Sequence, residues 1–527
     1  MARLKTLMTE ILSHDKPDHK TFRSDLQDEI ISRYKLGDVF REVLEQDNAD
    51  KMKHLALCTV LCDKCPTTWF MESIKNILTT KDFSTVKEIL KMGFVPLIQN
   101  KEHYIFDKND FEGVDSMSVT VMSVFNIMLE KFSDELDTND VVRGFFSHIV
   151  SEMLYCILEH VEVNLWTSEL SMVMSKNLLR LFKRLYKCEC DADLLICNKS
   201  LSNVDALKTA ENSILNQILK ILNPRLTKST WTSYPGARSV FQWCLFNTLY
   251  PNLYDYIEKL LPPSLNFVDY YIMDNKVLGI RCLQHIMDNV SAEELRWYGH
   301  AEVVYQALKH QLYTNEANLN QVSYPAMLTV LNIIEKLPSS IDDVSERKSR
   351  KHDEIFEIIL LNAECENVIV LRQIVTKFLS DFVEVMGIVT VNHLEKILMI
   401  IENYLPVYEG PEELTRINVL NLMEKVLKIT WPRIPQYLEK ILRMLLKFVC
   451  SLALQNSDRS DTVTLLLIEK VTTCLKLLKV IGGDKCVELI KSVDSPELPP
   501  LCVKVLGDVH YLTSKCCIGK SEPLVDI

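Results

Sequence analysis

Apolar residues recur along this chain at i, i+3, i+4, i+7 and i+8 in segments of about 12 to 25 residues, the period of a helix with one buried face. Val121, Val124, Phe125, Met128, Leu129 and Phe132 make one such stripe. Ile434, Leu438, Ile441, Leu442, Leu445, Leu446 and Val449 make a second, with Lys440, Arg443 and Lys447 on the opposite, wet face. Val463, Leu467, Val471, Cys474, Leu475 and Leu478 make a third. Ser291, followed three residues on by Glu294, has the form of a capping box and marks a helix start before Leu295. Strand-like alternation bounded by turn dipeptides is nearly absent. Helices this short cannot hide their stripes singly, so each must pair with its neighbour in a running stack. The pattern predicts an all-α chain, an α-solenoid of degenerate HEAT- or armadillo-like repeats. At about 40 to 47 residues per repeat, the 527 residues hold about eleven or twelve.

Composition supports this reading. Glycine supplies only 13 residues and proline 18, too few for the repeated tight connections of a nucleotide-binding sheet, a propeller or a barrel. Two polar stretches, 189–205 and 338–352, interrupt the helical pattern. The first divides the chain into an N-terminal arm, 1–229, and a C-terminal arm, 230–527. Pro262-Pro263 reads as a helix end, because proline lacks the N–H and restricts the residue before it. The next helix starts near Asp274, with Leu278, Cys282, Leu283 and Ile286 as its core stripe and Gly279 admitting a close neighbour.

Lys and Arg total 59 against 71 Asp and Glu, a net charge of −12, so the chain as a whole repels phosphate backbones and no direct nucleic-acid binding is expected. The strongest basic strip, Arg347, Lys348, Arg350 and Lys351, reads as a solvated interhelical loop, with a nuclear-import address or phosphate contact as the other reading. No predominantly apolar run of 18 uncharged residues is present and Glu10 interrupts the N-terminus, so neither membrane insertion nor a signal peptide is expected. Sixteen cysteines, many in apolar helical stretches such as those around Cys244, Cys282, Cys450 and Cys474, fit a reducing compartment, cytoplasmic or also nuclear.

Motifs for chemistry are sparse. Cys58, Cys62 and Cys65 have a spacing that can hold an iron–sulfur cluster or zinc, which makes a metal-dependent enzyme one rival reading. Against it, Leu55, Leu57, Val60 and Leu61 mark a buried helix that stops at Pro66. Cys188, Cys190 and Cys197 supply no convincing partner set. His300-Ala301-Glu302 imitates half of a zinc deaminase signature, but no P-C-x-x-C follows. P-loop, G-x-S-x-G and H-E-x-x-H patterns are absent, so no catalytic residue, cofactor or metal is assigned and the chain is expected not to be an enzyme.

The stretch from Trp231 to about Ile434 concentrates aromatic, proline and glycine residues at specific points. It runs through Trp231-Thr232-Ser233-Tyr234-Pro235-Gly236-Ala237-Arg238, Phe241-Gln242-Trp243-Cys244-Leu245, Leu261-Pro262-Pro263-Ser264-Leu265 and Asn275-Lys276-Val277-Leu278-Gly279-Ile280-Arg281-Cys282-Leu283. Gly387-Ile388-Val389-Thr390-Val391, Tyr408-Glu409-Gly410-Pro411-Glu412-Glu413 and Thr430-Trp431-Pro432-Arg433 follow in order. This ordered set resembles the Tti-two family, whose members are the third subunit of the Triple T (TTT) co-chaperone complex. The resemblance implies a non-catalytic helical scaffold joined to Tel-two-like and Tti-one-like subunits. With the ninety-kilodalton heat-shock chaperone, such a complex matures and stabilises phosphatidylinositol-kinase-related kinases of the mTOR, ATM and ATR class, supporting DNA-damage and growth signalling. Trp231, Tyr234, Arg238 and Trp243 are the interface candidates, since these residue types are enriched at hot spots, or else they brace the junction of the arms. Lys276 and Arg281 are expected to bond an acidic partner in the adjacent repeat, or to contact a partner protein. An importin-like helical-repeat adaptor is the other rival; it calls for regular acidic or asparagine ladders, which are not found.

Overall fold

The stripes become helices whose apolar faces are closed off from water. In the computed structural model, which describes residues 2–13, 20–98, 106–134, 139–197, 210–335, 350–454, 460–493 and 499–515, twenty-four α-helical segments, the one over Asp461–Val493 kinked at Gly483, and several short 3-10 turns follow one another, with no strand among the described residues. Val121, Val124, Phe125, Met128 and Leu129 are fully buried on the helix Val114–Lys131. The second stripe lies buried along Leu438–Leu454, with Arg443 and Lys447 exposed. Ser291 caps the helix Ala292–Trp297 by accepting the Glu294 N–H at 3.3 Å. Arg347 and Lys348, half of the basic strip, lie outside the described residues, as do all of 198–209 and 338–349.

The chain forms two units: Met1–Phe267 with Asp288–Val290, and Val268–Met287 with Ser291–Ile527. In the first, Asn48–Lys64, Val114–Lys131 and Glu169–Tyr186 pack in one row, and Leu36–Leu44, Ser84–Met92, Asp140–Glu159 and Ile214–Leu222 in another. In the second, Ala317–Ile334, Ile369–Met386, Leu414–Ile429 and Asp461–Val493 pack successively, their first residues recurring every 45 to 52 positions. That spacing is the HEAT-like repeat the amphipathic pattern calls for. Lysine–glutamate bonds tie successive helices on the wet side, as in Lys425–Glu384 at 2.5 Å and Lys440–Glu402 at 3.0 Å.

Two sequence expectations change. Residue 230, the expected boundary, falls inside the first unit, because Trp231 and Phe241 both pack edge-on against Phe267 at 5.0 and 5.6 Å and carry the chain back into that core. Pro262 and Pro263 do not end a helix but lie within Ile257–Val268. Pro262 and Glu258 face solvent, where water satisfies the carbonyl that loses its N–H partner, while Leu260, Leu261, Phe267 and Val268 hold the helix by burial. The helix Asp140–Glu159 is long and apolar enough to cross a membrane by length and composition, yet it is the core of its unit, with Phe145, Phe146, Met153 and Cys156 fully buried.

Candidate functional site

The motif stretch 231–239 is a keystone of the first unit. Tyr234 precedes the helix Pro235–Phe246, whose first residues are Pro235, with φ preset for a helix start, and Gly236. Into that helix end fits the carboxyl of Glu159, fully buried at the end of Asp140–Glu159, where it accepts the Val95 N–H at 2.9 Å. A Cβ on Gly236 would lie 2.2 Å from Glu159 Oε1 and 2.8 Å from Val95 Cβ, so only glycine admits this approach. The Trp166 indole N–H donates to the Glu159 carbonyl at 2.8 Å, Ile98 N–H to the Ser233 carbonyl at 3.1 Å, and Asn164 Nδ2 to Ser239 Oγ at 3.2 Å. Burial pushes the Glu159 carboxyl up to about 8, against the pull of the Val95 N–H and the nearby Arg225 charge. Arg225 itself is stacked among Tyr155, Phe94 and Tyr234, 4.7, 5.2 and 5.6 Å from their ring centres. Gly236→Ala is therefore expected to destabilise the protein by about 1 to 3 kcal/mol through overpacking. Thermal melting of the two proteins checks this.

The motif 408–413 forms a second clasp, in the other unit. Arg416 is fully buried and donates through Nε to the Leu405 carbonyl at 3.1 Å, through Nη2 to the Pro406 carbonyl at 2.7 Å, and through Nη1 to Glu413 Oε1 at 2.9 Å. Its guanidinium also lies 5.5 Å from the Phe448 ring centre and 5.9 Å from that of Tyr408. Glu413 adopts left-handed backbone, φ 51°, which turns the loop into Leu414–Ile429 and brings its carboxylate back to Arg416.

The six residues singled out in the sequence do not form one surface. Trp231 and Trp243 are buried, 4% and 6% exposed, so they brace the first unit's core and present no indole to a partner. Tyr234 is half-buried in the Arg225 stack, and Arg238 is half-buried and already engaged within the fold. Lys276 meets a neutral amide, donating to Gln311 Oε1 at 2.8 Å, in place of the expected carboxylate; burial lowers its pKa, opposed by the charge of Asp269. Arg281 is exposed. The aromatics that do face solvent are others, notably Trp297 at 84%, Tyr313 at 66%, Tyr298 and Trp431. Trp431 stands in a motif quoted above, but nothing in the local pattern around Trp297 marks it as exposed.

Most of the described cysteines are core residues. Cys58, Cys62 and Cys65 are buried at the end of Asn48–Lys64, which stops before Pro66 as its sequence indicates. Burial pushes the Cys58 and Cys65 thiols up to about 12 and Cys62 well above its ordinary value, so at neutral pH they are protonated, poor nucleophiles. Cys244, Cys282 and Cys474 are buried too, and Cys450 is half-buried. Among the described residues no group of three or more His, Cys, Asp or Glu side chains converges to hold a metal ion.

Residues 199–408 match the model of the Tti2 family, a span that includes the keystone stretch and the helix Met273–Asp288. The chain is 33% identical over 339 residues to human TELO2-interacting protein 2, covering 64% of each chain. It is 34% identical over 313 residues to the mouse protein of that name, covering 59% of each. The chain thus aligns with about three fifths of the length of these relatives. Among solved structures it resembles Kap121p bound to Nup53p at 13% identity and TM-score 0.41, covering 94% of this chain and 50% of that one. The motifs from Trp231 to Val391 fall inside the matched span, the 408–413 motif begins at its last residue and 430–433 lies beyond it: over residues 199–408 this chain is similar to the Tti2 family.

Proposed function

We propose that this chain is a non-catalytic scaffold subunit of a TTT-type co-chaperone complex, holding Tel-two-like and Tti-one-like subunits. The observation that carries the reading is its similarity, across the keystone stretch, to relatives whose name is TELO2-interacting protein 2. With the ninety-kilodalton heat-shock chaperone, the complex would support maturation and stability of phosphatidylinositol-kinase-related kinases, in the cytoplasm or also the nucleus. The mechanism is adhesive: stacked helices offer a long surface of modest contacts, and a few exposed aromatic anchors supply most of the binding energy. The protonated core thiols favour this reading over catalysis by Cys58, Cys62 or Cys65.

The test is affinity capture of the full chain from its own cell extract, with mass spectrometry of what stays bound. Tel-two-like and Tti-one-like partners at near-equal stoichiometry are the expected result, and a clean preparation lacking both would sink the reading. Trp297 gives a second measurement because its indole is almost wholly solvated. Trp297→Ala is expected to weaken capture of one partner by about tenfold or more if it is an anchor, while melting stays within about 1 °C, since surface truncations rarely exceed 0.5 kcal/mol.

A further inference from the structure

In the first unit, a hollow of about 530 Å³ opens beside the keystone, with Lys51, Lys91 and Arg225 among its lining residues and no carboxylate among them. Its walls are apolar, from Phe94, Leu97 and Met117. In a chain of net charge −12, three cations lining one apolar hollow are a local reversal of sign, with Lys51 already engaged within the fold. Arg225 is the centre of this arrangement. The rings of Phe94, Tyr155 and Tyr234 lie around its guanidinium and fix it in place. The Tyr155 side chain also hydrogen-bonds Arg225, but a guanidinium has five N–H donors, so others remain for a planar anion. No carboxylate hydrogen-bonds Arg225 among the described residues; the buried Glu159, which the Arg225 charge reaches, gives one oxygen to the Val95 N–H. Lys91, exposed among the lining residues, pairs with its exposed helix neighbour Glu88 at 2.6 Å, a surface pair that a better-placed anion can displace.

We propose that this hollow binds the acidic group, carboxylate or phosphate, of an extended peptide segment in a partner protein, with an apolar residue of that segment seated on the Phe94, Leu97 and Met117 wall. The spread of the cations favours a peptide over a free anion: no glycine lines the hollow to form a backbone nest around a single phosphate, and more than half of the lining residues are apolar, a surface that an inorganic ion would not use. A long polyanion is disfavoured by the charge of the rest of the chain. The site stands whichever complex the chain joins, so its failure leaves the scaffold reading untouched.

The test uses the full chain and fluorescence polarisation of labelled ten-residue peptides carrying a leucine and a phenylalanine beside a central glutamate, phosphoserine or glutamine. The glutamate or phosphoserine peptide should bind about tenfold more tightly than the glutamine control, with affinity falling as salt rises. Lys91→Glu, on an exposed side chain, should weaken the anionic peptide by about fivefold or more with unchanged melting. Arg225→Lys, which keeps the charge but loses the planar fork, should weaken it by about tenfold. Equal binding of the glutamine peptide, or binding retained in both variants, overturns the proposal. Displacement of the peptide by inorganic phosphate at equal concentration also overturns it, since the hollow would then be an anion site with no peptide preference.

Discussion

Arg416→Met lowers the stability of the protein by about 3 to 5 kcal/mol, because it leaves the Glu413 carboxylate buried without its cation. Both side chains are fully buried, so water cannot replace the lost partner. The Leu405 and Pro406 carbonyls lose their donors in the same step, which opens the loop ahead of Leu414–Ile429. For a unit of this size the loss corresponds to a melting shift of the order of 10 °C. Glu413→Gln combined with Arg416→Met should recover part of it, because the uncompensated charge is gone while the carbonyl donors remain missing. Calorimetric melts of the wild type, both single variants and the double variant check the prediction. Additive losses would show that the two side chains do not act as a pair.

The second large effect is a pH dependence centred on Glu159. Its carboxyl has an ordinary value near 4.5 in the unfolded chain and about 8 in the fold, raised chiefly by burial. Below pH 4.5 it is protonated in both states and carries no penalty. Between 4.5 and 8 the folded protein keeps a proton that the unfolded chain has released, so stability falls as pH rises, by up to about 1.4 kcal/mol per pH unit. Above 8 the penalty is complete, of the order of 3 to 5 kcal/mol. Glu159→Gln removes the titration, so the variant should match or fall slightly below the wild type near pH 4.5 and exceed it near pH 8. The neighbouring His160 acts with the opposite sign: buried and held neutral, with its pKa pushed down to about 4, it costs stability as pH falls from 6.5 toward 4. It is present in both proteins, so the difference between the two stability curves isolates Glu159. Urea unfolding at pH 4.5, 6 and 8 measures that difference, and a pH-independent difference would place the ionised carboxylate in the fold.

How much of this was legible beforehand differs between fold and site. The stripe of Val121, Phe125, Met128 and Leu129 is buried as its spacing requires, and the Ser291 cap starts its helix as the local pattern indicates. The candidate interface was much less legible. Trp231 and Trp243 carry side chains typical of hot spots, yet both are buried, because residue type states what a side chain can do once exposed and not whether it is exposed. The reverse holds for Trp297, which lies on a six-residue helix too short to show a stripe.

The sequence by itself determined the all-α class, the repeat of paired helices and the stretch that carries family resemblance, because helical periodicity, caps and ordered short motifs are local properties of the chain. Only the tertiary structure decided that Gly236 exists for Glu159, 77 positions earlier, that Arg416 closes a buried clasp, and that Arg225 is stacked among aromatic rings from three separate segments. Each of these depends on which distant backbone arrives at a given side chain. That is set by the packing of successive helices over the whole unit, and no window of consecutive residues contains it.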